Sequence, residues 1–204
     1  MKTFRPIRYL TCAVYRLIAA CFIITLLSAA ASKIEANAPS TADNSKVTTV
    51  FLVRHAEKAT TPPKDPPLTE AGKARSNELA RILGQAGIKA IYTSQFLRTK
   101  QTAEPLAQKL RITTTELSIE ADPSDSSMVS EKSIKAITDK IREQNGEAVL
   151  VVGHSNTVPA VIKMLGGDTV PVIDEKKEFD SLFVVTVYAE GKAKVVHLKY
   201  GSQN

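Results

Sequence analysis

Four residues in this 204-residue chain have the types and the placement to do chemistry together. Arg54 and His55 stand side by side just after the apolar run Thr48 to Val53. Arg98 follows a second such run, Ile88 to Thr93, and His154 follows a third, Ala148 to Val152. A guanidinium fork binds phosphate oxygens in pairs, and a neutral imidazole can attack phosphorus. Two arginines and two imidazoles at one edge therefore suit a tetrahedral anion. Each residue alone has an ordinary explanation, a hydrogen-bonded structural histidine or a solvated arginine, but all four following strand ends makes the joint placement the stronger signal. The third histidine, His197, lies inside the expected last strand and is read as structural.

Rival chemistries fit the same letters less well. Gly153-His154-Ser155-Asn156-Thr157 has a serine between turn residues, but a nucleophile elbow needs a second glycine where Thr157 stands. No glycine-lysine-threonine or glycine-lysine-serine string marks a Walker loop. A metal held by His55 and His154 would have Arg54 and Lys58 beside it, and their charge opposes a divalent ion. No metal and no cofactor is expected.

The elements that must carry these residues read as strands alternating with helices. Thr48 to Val53 is a β-branched, apolar run of the kind buried on both faces. Four prolines between Thr60 and Pro67 demand a loop. Thr69 can cap a helix with apolar positions Ala71, Ala74, Leu79, Ile82, Leu83 and Ala86, stopped at Gly87. A helix over Thr99 to Leu110 requires a kink at Pro105 or a start near it. Thr113 to Ile119 predicts a weak strand, and Ser130 caps a helix with Ile134, Ile137 and Ile141 inward. After the Ala148 to Val152 strand, a helix covers Thr157 to Leu165, and Leu182 to Tyr188 with Val195 to Tyr200 forms a hairpin about Glu190-Gly191. The expected fold is α/β: a three-layer α/β/α sandwich, with a mostly parallel central sheet and an antiparallel C-terminal edge. Ligands of such sheets bind outside the carboxyl ends of the strands, where the four residues fall.

The first residues read as an address. Lys2, Arg5, Arg8 and Arg16 precede an uncharged run, Leu17 to Ala31, with small residues at 29–31 and 36–38. Residues 1–38 are expected to be a signal peptide and processing region, residues 39–46 a small polar linker, and 47–204 one domain. The run is shorter than the roughly 20 residues that span hydrocarbon, so export to the periplasm or medium is favoured over an uncleaved membrane anchor. Membrane contact would be transient, through the leader. Cleavage lowers the formal charge from +6 to +2 and removes both cysteines, Cys12 and Cys21, which excludes disulfides, zinc-thiolate sites and a cysteine nucleophile from the mature chain. Without a basic patch interleaved with aromatics, no nucleic-acid partner is expected.

Four stretches carry a resemblance: "VRHAEK" (53–58), "PLTEAGKARSNELARIL" (67–83), "IYTSQFLRTKQTAEPLA" (91–107) and "VLVVGHSNTVPAVI" (149–162). Together they resemble the histidine phosphatase superfamily, which includes the phosphoglycerate mutases, over most of residues 50–188. The resemblance implies that 47–204 is a histidine phosphatase domain and that His55 accepts the phosphoryl group. It implies that Arg54, Arg98 and His154 bind the phosphate and complete the catalytic set, with Arg54 also keeping His55 neutral. The glycine usual after the arginine-histidine pair is Ala56 here. The resemblance also implies a general acid, a carboxylate from a loop between Arg98 and His154. Glu116, Glu120, Asp122 and Asp125 are available, and Asp122 is preferred because Pro123 holds it extended; Asp180 is an outside candidate.

The activity implied is hydrolysis of a phosphomonoester through a phosphohistidine, as in histidine acid phosphatase-type phosphomonoesterases. A non-catalytic phosphate- or phosphoprotein-binding module and a phosphomutase are the alternatives. The mutase is disfavoured because no large insertion after Arg98 would shield an intermediate from water. The partner is a small phosphorylated substrate or phosphopeptide, whose remainder Lys58, Lys64 and the proline-rich loop could touch.

Overall fold

A computed structural model describes residues 46–201. The expected signal peptide, both cysteines and the linker up to residue 45 lie outside the described residues. Among the described residues no helix is long and apolar enough to cross a membrane.

Strands β1 (Thr48–Arg54), β2 (Ile88–Thr93), β3 (Thr115–Glu116), β4 (Ala148–Gly153), β5 (Ser181–Ala189) and β6 (Lys192–Lys199) form one sheet in the order β3-β2-β4-β1-β5-β6. Pairing is parallel through β3, β2, β4 and β1, then antiparallel to β5 and β6. Four helices flank it: α1 (Glu70–Leu83), α2 (Leu97–Leu110), α3 (Glu131–Glu143) and α4 (Thr157–Met164).

The alternation of side chains along each strand divides the core in two. Val50, Leu52, Val149 and Val151 face one way and meet Ile134, Ile137 and Ile141 of α3 and Val158, Val161 and Ile162 of α4. Val53, Leu150, Val152 and Ile91 face the other way and meet Leu79 and Leu83 of α1 and Ala103 and Leu106 of α2. Helices on both faces of a mainly parallel sheet make the expected α/β/α sandwich.

Local structure departs from the sequence pattern at four places. Helix α1 ends at Leu83 with Gly84 as its C-cap, so Ala86 is outside it. Gly87, with φ +70°, serves the entry into β2, because a left-handed residue there turns the chain without a Cβ penalty. Helix α2 starts at Leu97 and runs through Pro105. Proline cannot donate to the carbonyl four residues earlier, and that carbonyl, of Gln101, instead accepts the Ser76 hydroxyl at 3.0 Å. Strand β3 has only two residues, both exposed; the Leu117 amide still donates to the Thr93 carbonyl at 2.8 Å, and the Leu117 and Ile119 side chains pack on the core that includes α3. The last strand is Lys192–Lys199; Tyr200, outside it, is buried against the α1 and α2 layer.

Candidate active site

The parallel pairing of β1 with β4 sets Arg54 opposite Gly153, and the His55 amide donates to the Gly153 carbonyl at 3.0 Å. That register brings His55 and His154, far apart in sequence, to a ring-centroid distance of 5.4 Å. Arg98 arrives from the first turn of α2. Thr102, one turn on, fixes this approach: its hydroxyl donates to the Arg98 carbonyl at 2.7 Å and accepts from the Ala56 amide at 2.9 Å. Ala56 is fully buried, so the methyl that replaces a glycine has been packed.

The residue after it anchors the other side. Glu57 and Arg75 of α1 form a buried ion pair, with Nε donating to both carboxylate oxygens at 3.0 Å and an Nη donating at 2.8 Å. Another Nη of Arg75 holds the Tyr200 carbonyl. The first turn of α1 lies on the Glu57 backbone so closely that a Cβ on Gly72 would be 2.2 Å from the Glu57 carbonyl oxygen. The segment carrying His55 is thus fixed by both helices of one layer.

Arg54, His55, Arg98 and His154 line a cavity of about 270 Å³. Nδ1 of His55 donates to the Ala56 carbonyl at 2.8 Å, which leaves the lone pair of the neutral ring on Nε2. Burial, foremost, with His154, Arg54 and Arg98 adding to it, lowers the His55 pKa to about 2 against the opposing pull of the Ala56 carbonyl. The arginines act in the expected direction, but loss of water is the larger cause. His154 is lowered to about 3, again mainly by burial, then by Arg98 and Arg54.

The arginines present less than full forks. One terminal nitrogen of Arg54 donates to the carbonyls of Asp174 and Glu178 at 3.0 Å, and the other to that of Glu175 at 2.7 Å. Its guanidinium also lies 4.2 Å from the centre of the Phe179 ring. Arg54 therefore clamps the 174–179 segment, and its Nε is the nitrogen left buried without a partner. Arg98 stacks on Phe96 at 4.2 Å and has one Nη 3.9 Å from Asp65; its Nε is likewise unpartnered. Both ring nitrogens of His154 are buried and unpartnered too. Such groups cost about 1–3 kcal/mol each unless something bonds to them. They belong to three residues that line one cavity, and since neutral His154 has one N–H and one lone pair, the donors on offer to an oxyanion are Arg54 Nε, Arg98 Nε and one ring nitrogen of His154.

Asp122, the preferred acid, is not in this cavity. Its carboxylate accepts the Ser124 amide and hydroxyl on an exposed turn, and these bonds hold its pKa below the usual range. Pro123 does not keep it extended toward the site, because the Asx turn folds it back on the loop. Asp125 is held the same way by Ser127, Glu116 pairs with Lys100, and Asp180 pairs with Lys199. The carboxylates that do line the cavity are Glu120 and Glu175. Glu120 was one of four loop candidates without a distinguishing letter. Glu175 gave no signal, since it arrives through the Arg54 clamp from a segment 121 residues away. Lys58 lines the cavity and Lys64 does not. His197 stacks on Phe183 and bonds the Ser181 hydroxyl at 2.9 Å, away from the site. Among the described residues no group of three or more His, Cys, Asp or Glu side chains could hold a metal ion.

Residues 50–124 match the sequence model of the histidine phosphatase superfamily (branch 1). Over these residues the chain is similar to that superfamily. The match includes Arg54, His55 and Arg98 and stops before His154. A search of curated protein sequences found no match. Among solved structures, the mycobacterial glucosyl-3-phosphoglycerate phosphatase aligns with TM-score 0.58 at 14% identity, covering 76% of this chain and 100% of the other. The phosphoglycerate mutase of Bacillus anthracis aligns with TM-score 0.58 at 19% identity over 76% and 93%. The protein histidine phosphatase SixA, solved with tungstate, aligns with TM-score 0.55 at 23% identity over 74% and 96%. At these identities the structures support the fold, a phosphoglycerate-mutase-like sandwich.

Proposed function

We propose that this protein is a phosphohydrolase that cleaves phosphomonoesters through a phosphohistidine on His55. The observation that carries the reading is the set of unpartnered buried donors, Arg54 Nε, Arg98 Nε and one ring nitrogen of neutral His154, on residues that line one cavity with a neutral imidazole whose tautomer leaves Nε2 as nucleophile. Nε2 attacks phosphorus in line; the N–P bond forms as the P–O bond to the leaving group breaks. The arginines and His154 meet the charge on the three equatorial oxygens. The positive charge that appears on the ring is stabilised by the Ala56 carbonyl at Nδ1–H.

Glu120 is the general acid in this reading. Its backbone is pinned from both sides, its amide donating to the Ser133 hydroxyl and its carbonyl accepting from the Ser130 amide. Burial lowers the pKa of both arginines and the charge of Glu175 opposes that shift, which suits charge balance rather than proton transfer. Glu120 protonates the leaving oxygen. Its carboxylate then takes a proton from the water that attacks the phosphohistidine, releasing phosphate and restoring both groups. Hydrolysis is favoured over mutase action because only α2, β3 and one loop separate Arg98 from α3, too little to close the site to water. Export of the mature chain belongs to the same reading and rests on residues 1–38 alone; an intact Met1 terminus on protein from its native host would refute it.

Quenching a reaction with phosphorus-labelled phenyl phosphate should trap acid-labile label on His55, and His55→Ala should abolish turnover while keeping the wild-type circular-dichroism spectrum at assay temperature. Wild-type turnover by His55→Ala would end the phosphohistidine mechanism. Labelled substrate held but never cleaved would mark a binding module.

A further inference from the structure

Beside the phosphoryl cavity lies a second and larger one, of about 1150 Å³. The two share Met128, Val129, Ser155, Asn156 and Glu175, so the second continues from the first. Helices α3 and α4 supply apolar walls through Ile134, Pro159, Ala160 and Met164, and the chain after α4 supplies Val170 and Ile173. Met128 at the junction is half exposed, and Val172 at the rim is 90% exposed.

The charges on the lining are one-sided. Asp122, Asp125, Glu131, Asp174 and Glu175 face a single cation, Lys163. Serine hydrogen bonds hold the first two ionised. A dianionic phosphoryl group is drawn to Arg54 and Arg98, but a second anion in the groove would meet carboxylates.

We infer that this groove seats the organic moiety of the substrate, and that the moiety is bulky, apolar and without an anionic group of its own. The inference rests on the phosphohydrolase reading for the phosphate end and adds the class of alcohol carried by it. Continuity with the phosphoryl cavity argues for the occupant: whatever is esterified to a phosphate at His55 and extends past Met128 enters the groove. The volume is above the roughly 300–1,000 Å³ of ordinary ligand pockets, which admits a fused-ring or long aliphatic group. Phosphoglycerate, sugar bisphosphates and nucleoside diphosphates carry second anions and are disfavoured by the same walls.

Non-hydrolysable phosphonates test the groove without needing catalysis. Calorimetry should show 1-naphthylmethylphosphonate binding the full chain on the order of 10²-fold tighter than methylphosphonate, from the apolar area removed from water. A sulfonate on the naphthyl ring should forfeit at least about tenfold of that gain. Val172→Asp, at an exposed position that does not threaten folding, and Ala160→Phe, which fills the groove, should both shrink the naphthyl-to-methyl ratio. Equal affinity for the three phosphonates, or a preference for the sulfonated one, would overturn the inference. Hydrolysis of phenyl phosphate reads the phosphohydrolase assignment separately. Turnover without naphthyl preference sinks the groove alone, whereas naphthyl preference without turnover sinks the hydrolase and keeps the groove.

Discussion

Two imidazoles buried in the neutral form should make this protein's stability fall with acid well before its carboxylates titrate. Free histidine protonates near 6.5, but His55 and His154 in the fold do so only at about 2 and about 3. Below 6.5 the unfolded chain therefore binds protons that the native chain refuses, and unfolding gains free energy as pH drops. The stability these groups contribute is complete above 6.5 and is lost progressively down to their folded pKa values. Each unit of pH costs about 1.4 kcal/mol per imidazole. From pH 6.5 to 4.5 the pair should cost on the order of 5 kcal/mol, comparable to the whole stability of many domains, about 5–15 kcal/mol. Carboxylates held low, such as Glu178 at about 2, act in the same direction but mostly below pH 4.5. The assay is urea unfolding at pH 7.5, 6.5, 5.5 and 4.5 on the wild type and on the double variant His55→Asn, His154→Asn. The variant lacks the linkage, so its stability should decline much less over this window. Parallel curves for the two proteins would refute the argument that burial keeps these rings neutral. The same pKa values remove His55 as the source of any acid limb in the rate between pH 4 and 7.

The remaining predictions concern the acid, the backbone and the anion. Glu120→Gln should lower kcat for an alkyl phosphate by on the order of 10²-fold, the usual scale of general acid catalysis, while Asp122→Asn leaves kcat within about twofold; the reverse ranking would restore Asp122. Gly72→Ala should destabilise by roughly 2 kcal/mol or more in urea unfolding, because the new methyl meets the Glu57 carbonyl backbone, which can move only by disturbing the buried ion pair; an unchanged midpoint would show that α1 is not seated as described. Chelator should leave phenyl phosphate turnover unchanged and tungstate should inhibit it competitively; activity lost to chelator and restored by zinc or magnesium would make His55 and His154 metal ligands instead.

The apolar runs at 48–53, 88–93 and 148–152 showed where strands would form, since a strand buried on both faces has few letters available to it. Arg54, His55, Arg98 and His154 were legible for the same reason: each comes shortly after such a run, and parallel strands deliver the residues beyond their carboxyl ends to one edge. Helix ends were less legible. Gly84 rather than Gly87 stops α1, and Pro105 sits within α2 because Ser76, on another helix, takes over the carbonyl that proline leaves unbonded. The candidate acids differ in loop geometry: Asp122 satisfies itself locally through Ser124, while the Glu120 backbone is held by Ser130 and Ser133.

By itself the sequence determined the periodicities and the residues at strand ends, because both depend on neighbours along the chain. Only the tertiary structure decided what those residues have left to offer. Backbone carbonyls from 174–178 take the terminal nitrogens of Arg54, burial by both layers depresses the imidazoles, and the carboxylates are sorted by which ones fold back on their own turns. Each of these depends on atoms far apart in sequence, and desolvation and hydrogen-bond satisfaction are properties of the packed neighbourhood rather than of any stretch of letters.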